Sequence, residues 1–219
     1  MVADPQALQD VTEGPDGVAA GASEAMTVIQ MSTVSPAATS RLQSVLEPLG
    51  AGLLDSPVLG SLTEVESGTL KVFAGGPDEL IERWTPLLSA LGSVFRVGPI
   101  GAGTAAKLVA NSTLLGALGV LGEALAVAQK LGLPQDVAFD VLAATPIAAQ
   151  AERRRPAIES GEFPPRFALR LALKDANLIL EASGTELRVI ESVREWFAEA
   201  DEASWGDRDY SALLAWMLR

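Results

Sequence analysis

Lys71, Lys107, Lys130 and Lys174 carry the only side-chain primary amines in a 219-residue sequence that has neither histidine nor cysteine. Without those two residue types there is no Ser-His or Cys-His nucleophile pair, no thiolate zinc site, no histidine axial ligand and no disulfide. Any amine chemistry must come from these four lysines. Lys107 stands out, because Asn111 follows it at helical spacing and shares its face. A buried lysine loses its hydration and needs a reason to stay. Two readings are open on residue grounds. In one, the Lys107 stem snorkels to solvent from the start of a helix. In the other, the amine works as an acid or base. An ammonium near the positive end of a helix dipole and against apolar walls is expected to hold its proton less tightly, as acid–base work near neutral pH requires.

The element that must position this pair is one long helix. After Thr104 nothing breaks a helix until Gly132 and Pro134, which predicts a rod of about 28 residues, roughly 42 Å long. Its Ala, Leu, Val and Gly content predicts burial on most sides. Gly116, Gly119 and Gly122 form a small-residue stripe on which another helix can come close. Before it, Gly101-Ala102-Gly103-Thr104-Ala105-Ala106 fits the loose dinucleotide pattern G-x-G-x-x-A. That pattern needs a second strand ending in an acidic residue about 20 positions on, whereas Glu123 falls inside the same helix. These glycines are therefore assigned to an interdomain bend at which backbone approaches a ligand, with a pyrophosphate site as the alternative.

Upstream, Gly14-Pro15-Asp16-Gly17 reads as a turn after a short helix over Gln6 to Val11. Met26 to Met31 reads as a buried strand, and Ser35-Pro36 as the cap and first position of a helix reaching about Leu49. Leu53 to Asp55, Thr69 to Ala74 and Val94 to Val97 read as strands, with a helix over Pro77 to Leu91. Strands alternating with helices predict an α/β layer on a largely parallel sheet. Beyond Leu131 only helices are predicted: Gln135 to Ala144, Ile147 to about Arg155, Ala168 to Ser183, Thr185 to Ala200 and Asp209 to Leu218. The sequence thus reads as a partial Rossmann-type α/β layer, residues 1–100, joined by one long helix to an all-α domain, residues 101–219.

A net charge of −12 repels phosphate backbones, and only Arg153-Arg154-Arg155 opposes it, so nucleic acid is not expected as a partner. The longest uncharged runs, Ala25 to Ser40 and Leu108 to Gly122, are too short to span a bilayer, so no membrane is expected either. The first residues lack a basic start and an apolar core, so a cytoplasmic protein is expected. No set of residues suggests a metal.

Several segments, taken together and in order, resemble a known family. They are Met31-Ser32-Thr33-Val34-Ser35-Pro36, Asp55-Ser56-Pro57-Val58-Leu59-Gly60-Ser61, Glu66-Ser67-Gly68-Thr69-Leu70, Gly101 to Asn111, and Phe167 to Leu178 with Lys174-Asp175. Over essentially the whole chain the sequence is similar to the β-hydroxyacid dehydrogenases, the 3-hydroxyisobutyrate dehydrogenase group of the 6-phosphogluconate dehydrogenase superfamily. The resemblance implies hydride transfer between NADP or NAD and the carbonyl or hydroxyl carbon of a small acid, with Lys107 as general acid/base. It implies that Asn111 and the loop Leu59-Gly60-Ser61 hold the substrate, the loop at its carboxylate end. It also implies that Thr33, Lys174 and Asp175 flank the cofactor, and that helical domains pair in a homodimer.

Two departures qualify what the resemblance implies. The family opens with a strand and Gly-x-Gly-x-x-Gly, whereas Met1 to Pro5 resembles the end of the family's fourth strand. The expectation is a nucleotide domain without its first half and weak NAD(P) binding by this chain alone, with a silent helical dimer serving as a binding or scaffold module as the alternative function. The substrate loop often reads Ser-Gly-Gly, but here it is Leu59-Gly60-Ser61. A leucine cannot donate a hydrogen bond to a carboxylate. The expected substrate is therefore a bulkier or less polar carbonyl compound than 3-hydroxyisobutyrate, or one that is held by Ser61.

Overall fold

A computed structural model describes residues 1–219. Helix α1 (Pro5–Glu13) starts at Asp4, whose carboxylate accepts the Ala7 N–H, with Pro5 preset for the first helical turn. Strand β1 (Thr27–Gln30) leads to helix α2 (Pro36–Leu46), capped by Ser35, and Gly50 ends the following 3₁₀ turn at φ 69°. Then come β2 (Gly52–Asp55), β3 (Val58–Leu59), α3 (Leu62–Glu66), β4 (Leu70–Gly75), α4 (Asp78–Ser89) and β5 (Gly92–Gly98).

The five strands form one sheet in which β1–β2 and β4–β5 are parallel, while β4 runs antiparallel to β2 and β3. The sheet is mixed, not largely parallel as the alternation suggested. No crossover helix joins β2 to β3, so the chain turns back along β4 within one short excursion. Side chains alternate across the sheet. Leu53 packs with Leu8, Val34, Leu42 and Leu46 under α1 and α2. Its neighbour Leu54 packs with Val72, Ala74, Ile81 and Leu88 under α4. One strand therefore feeds two apolar layers.

Helix α5 (Ala102–Lys130) runs unbroken for 29 residues. By length and composition it could cross a membrane, and half of its most apolar window is buried within the protein. After it come α6 (Gln135–Ala143), α7 (Ala148–Ser160), α8 (Leu169–Ser183), α9 (Arg188–Ala200) and α10 (Leu213–Met217). Helix α7 continues through Pro156 to Ser160, five residues beyond the predicted end near Arg155. The chain forms two compact units, Met1–Ala110 and Asn111–Arg219, so the division falls inside α5, about ten residues after the glycine bend. The first turns of α5 stay with the sheet because Asp55 holds them.

In the second unit Leu115, Leu118, Leu121 and Leu125 are buried along α5. A Cβ on Gly119 would lie 2.6 Å from Val193, and one on Gly122 would lie 2.4 Å from Met217. The small-residue stripe is thus where α9 and α10 lie against α5.

Candidate active site

The first unit holds a polar cluster around the start of α5. Asp55, fully buried at the end of β2, accepts the Gly101 N–H at 3.1 Å and the Thr104 N–H at 2.7 Å on Oδ2. Its Oδ1 accepts the Thr104 hydroxyl at 2.8 Å, and Thr104 Oγ1 lies 2.8 Å from Thr39 Oγ1 on α2. A carboxylate at this point satisfies helix N–H groups that would otherwise lack partners. Burial pushes the Asp55 carboxyl above its ordinary range, and the bonds from Thr104 and Gly101 pull it back only in part.

The glycine bend serves this contact. A Cβ on Gly103 would sit 2.0 Å from the Asp55 carbonyl oxygen and 2.6 Å from that of Phe73. The close approach that Gly103 permits is thus to the protein's own strands, whereas nothing lies within 4 Å of a Cβ on Gly101. Gly101 takes φ +92°, which a side chain rarely adopts. One turn after Thr104 comes Lys107, buried at 8% exposure.

The loop that leaves Asp55 carries Leu59, Gly60 and Ser61. Gly60 has φ +137°, and a Cβ there would meet Leu70 Cδ2 at 2.5 Å and Glu64 Cβ at 2.8 Å. Both Ser61 donors point at one acceptor. Its N–H reaches Glu64 Oε2 at 2.7 Å and its hydroxyl reaches the same oxygen at 2.9 Å. Thr33 is half-buried in the loop after β1. The Gln30 side chain fixes this loop by accepting the Ser32 N–H and donating to the Ser32 carbonyl. The Val2 N–H donates to Ser32 Oγ at 2.8 Å. The groove of about 420 Å³ in this unit lies elsewhere, between α1 and α2, and is lined by both members of the Arg41–Glu13 ion pair.

The second unit holds a buried polar chain of its own. Asn111 is 1% exposed and donates its amide to Asp175 Oδ2 at 2.6 Å. Lys174 Nζ lies 2.7 Å from Asp175 Oδ1. A carboxylate only accepts, so the Asn111 NH₂ must face Asp175 and its Oδ1 must face away. That oxygen is buried with no partner. An orphaned acceptor costs about 1–3 kcal/mol, and a ligand hydroxyl or N–H would relieve that cost.

The Lys-Asn spacing, Lys174-Asp175 and the Leu59-Gly60-Ser61 loop are all legible in the sequence. The Asp55–Thr104–Thr39 cluster is not, because its members come from three distant segments. Glu64 could have been found, since Ser61-Leu62-Thr63-Glu64 has the spacing of a helix capping box.

Thr33 offers a hydroxyl in the first unit. In the second, Lys174 offers an ammonium and Asn111 Oδ1 an acceptor. No group of three acidic side chains is arranged to hold a metal ion.

In comparison with known proteins two family matches meet at residue 101. Residues 1–101 match the NAD-binding domain of 6-phosphogluconate dehydrogenase. Residues 101–217 match the family described as NAD-binding of NADP-dependent 3-hydroxyisobutyrate dehydrogenase. The 3-sulfolactaldehyde reductase of Escherichia coli (strain K12) is 32% identical over 215 residues, spanning 94% of this chain and 72% of that protein. The 2-(hydroxymethyl)glutarate dehydrogenase of Eubacterium barkeri is 34% identical over 179 residues, spanning 80% of this chain but only 59% of that protein. A solved 3-hydroxyisobutyrate dehydrogenase from Salmonella typhimurium superposes with a TM-score of 0.84 at 27% identity, over 98% of this chain and 76% of that one. Its counterpart from Mycobacterium tuberculosis gives 0.86 at 26% identity, over 100% and 78%.

Proposed function

This chain belongs to the 3-hydroxyisobutyrate dehydrogenase family of NAD(P)-dependent hydroxyacid dehydrogenases and reductases, and from that premise we propose that it interconverts a small carbonyl compound and its alcohol with Lys107 as general acid/base. The observation that carries the proposal is a buried lysine one helical turn before an asparagine whose amide is locked by Asp175 and whose oxygen is left as an orphaned acceptor.

The nicotinamide, when bound, supplies a hydride to the carbonyl carbon or takes one from the carbinol carbon. Lys174, held by Asp175 in the second unit, would flank that group. In the reducing direction the Lys107 ammonium gives its proton to the carbonyl oxygen as the new C–H bond forms, so alkoxide charge never builds up. In the oxidising direction the neutral amine takes the hydroxyl proton as hydride leaves. Asn111 Oδ1 accepts a hydrogen bond from a ligand donor and fixes its orientation, because Asp175 prevents the amide from turning.

Replacement of Lys107 tests this reading. With NADPH and a short aldehyde, Lys107→Ala should lower turnover by about 10²- to 10⁴-fold, the usual worth of a general acid. Cofactor and substrate binding should change much less, since the loss sits in the transition state. Lys107→Arg should fail nearly as badly, because a guanidinium stays protonated and cannot cycle a proton. Turnover close to wild type in Lys107→Arg would contradict the assignment.

A further inference from the structure

Thr104 precedes Lys107 by three residues, about 4.5 Å along the same helix. Every Cα–Cβ bond in a helix tilts toward the N-terminus, so the Lys107 stem starts over the turn to which Thr104 belongs. Thr104 is itself 2% exposed and is fastened at three points. Its N–H donates to Asp55 Oδ2 at 2.7 Å, and its hydroxyl donates to Asp55 Oδ1 at 2.8 Å. Its Oγ1 also lies 2.8 Å from Oγ1 of Thr39, which is 1% exposed. Asp55 ends β2 and Thr39 belongs to α2, so one residue ties the start of α5 to a strand and to a second helix. All of them, and Lys107, lie within the first unit.

The protons of this chain run one way. An ionised carboxylate only accepts, and each hydroxyl has one proton to give. The Thr104 proton is spent on Asp55, so Thr39 donates to Thr104. The Ser35 carbonyl, 3.5 Å from Thr39 Oγ1, is the longer alternative. Packing leaves the turn no slack, since a Cβ on Gly103 would sit 2.0 Å from the Asp55 carbonyl oxygen.

Reduction of a carbonyl needs hydride at its carbon and a proton at the neighbouring oxygen. A proton donor displaced by about 1 Å can lose on the order of 10²-fold in rate. We infer that Thr104 is a positioning residue for the reaction, its hydroxyl, bonded between Thr39 and Asp55, fixing the place of the Lys107 amine. This inference rests on the dehydrogenase reading for what the amine does, and on the hydrogen bonds alone for where it is held.

The test reads amine placement and turnover separately on the full chain. Trace acetylation by acetic anhydride is followed by mass spectrometry, with each lysine normalised to the exposed Lys130. Thr104→Val keeps the shape and the N–H bond but removes the hydroxyl. It should raise Lys107 labelling severalfold and leave Lys174, in the second unit, unchanged. With NADPH and butanal it should lower kcat about tenfold, with KM held within about twofold. Thr104→Ser restores the hydroxyl and should match wild type in both readouts. Thr39→Val leaves both Asp55 bonds in place and should move both readouts the same way by less. It carries the test if Thr104→Val does not fold.

Unchanged Lys107 labelling, a rise shared by Lys174, or no recovery in Thr104→Ser overturns the inference, and so does altered labelling with full kcat. If labelling shifts as expected while wild type never reduces butanal, the dehydrogenase reading fails and Thr104 still holds the amine. If wild type reduces butanal, Lys107→Ala does not, and Thr104→Val matches wild type throughout, the inference fails and that reading stands.

Discussion

Asp175 is 2% exposed and reaches two functional groups at once, the amide of Asn111 and the ammonium of Lys174. In the proposed mechanism it is a positioning residue, so its removal should show as misplacement. Asp175→Ala releases Asn111 to rotate, so KM should rise about tenfold or more with a smaller fall in kcat. Asp175→Asn keeps an oxygen for Asn111 and should recover most of the loss. Steady-state kinetics on both variants checks this. A pure loss of folded protein, with unchanged KM in what remains, would mean that Asp175 only supports the core. Chemistry at this scale was partly legible beforehand. Lys107 and Asn111 announce themselves by spacing on one helix. The partner of Asn111 lies 64 residues away and is brought in only by packing of α8. Nothing local to Lys174-Asp175 says that the carboxylate turns inward.

Among the elements, the start of α5 is the point at which sheet and helix are joined, and Asp55 makes the joint pH-sensitive. Its carboxyl is raised because burial outweighs the N–H and hydroxyl donors around it. A raised folded value means that the native state holds the proton more tightly than the unfolded chain does. The resulting stability is full below the unfolded value of about 3.9 and is lost as pH rises through the folded value. Asp55→Asn removes this titration and can keep the bonds. The amide oxygen serves Gly101 and Thr104, and the amide nitrogen donates to Thr104 Oγ1, which turns to donate to Thr39. Urea unfolding should therefore show Asp55→Asn gaining on wild type as pH rises from about 4 to 7. A gap that stays constant with pH would contradict the raised value.

The long helix and most strands were legible because Gly and Pro punctuate them. Strand direction was not, because β3 has two residues and leaves no periodic signal. The extent of α7 was missed because Pro156 reads as a stop, yet the helix continues past it.

At the scale of the whole molecule, a mixed sheet and a helical unit share one 29-residue helix whose first turns belong to the sheet. On that helix Val109, Val120 and Val127 are exposed. The chain spans between 59% and 78% of the four relatives compared with it, so its own activity is the central matter to measure. The direct measurement is isotope transfer. The chain is incubated with butanal and NADPH or NADH carrying deuterium at the transferring position of the nicotinamide, and the alcohol is examined by mass spectrometry. The account predicts butanol with one deuterium on the carbinol carbon and an unlabelled hydroxyl, the carbon having received hydride and the oxygen a proton by way of Lys107. No butanol, or butanol without that label, would contradict it.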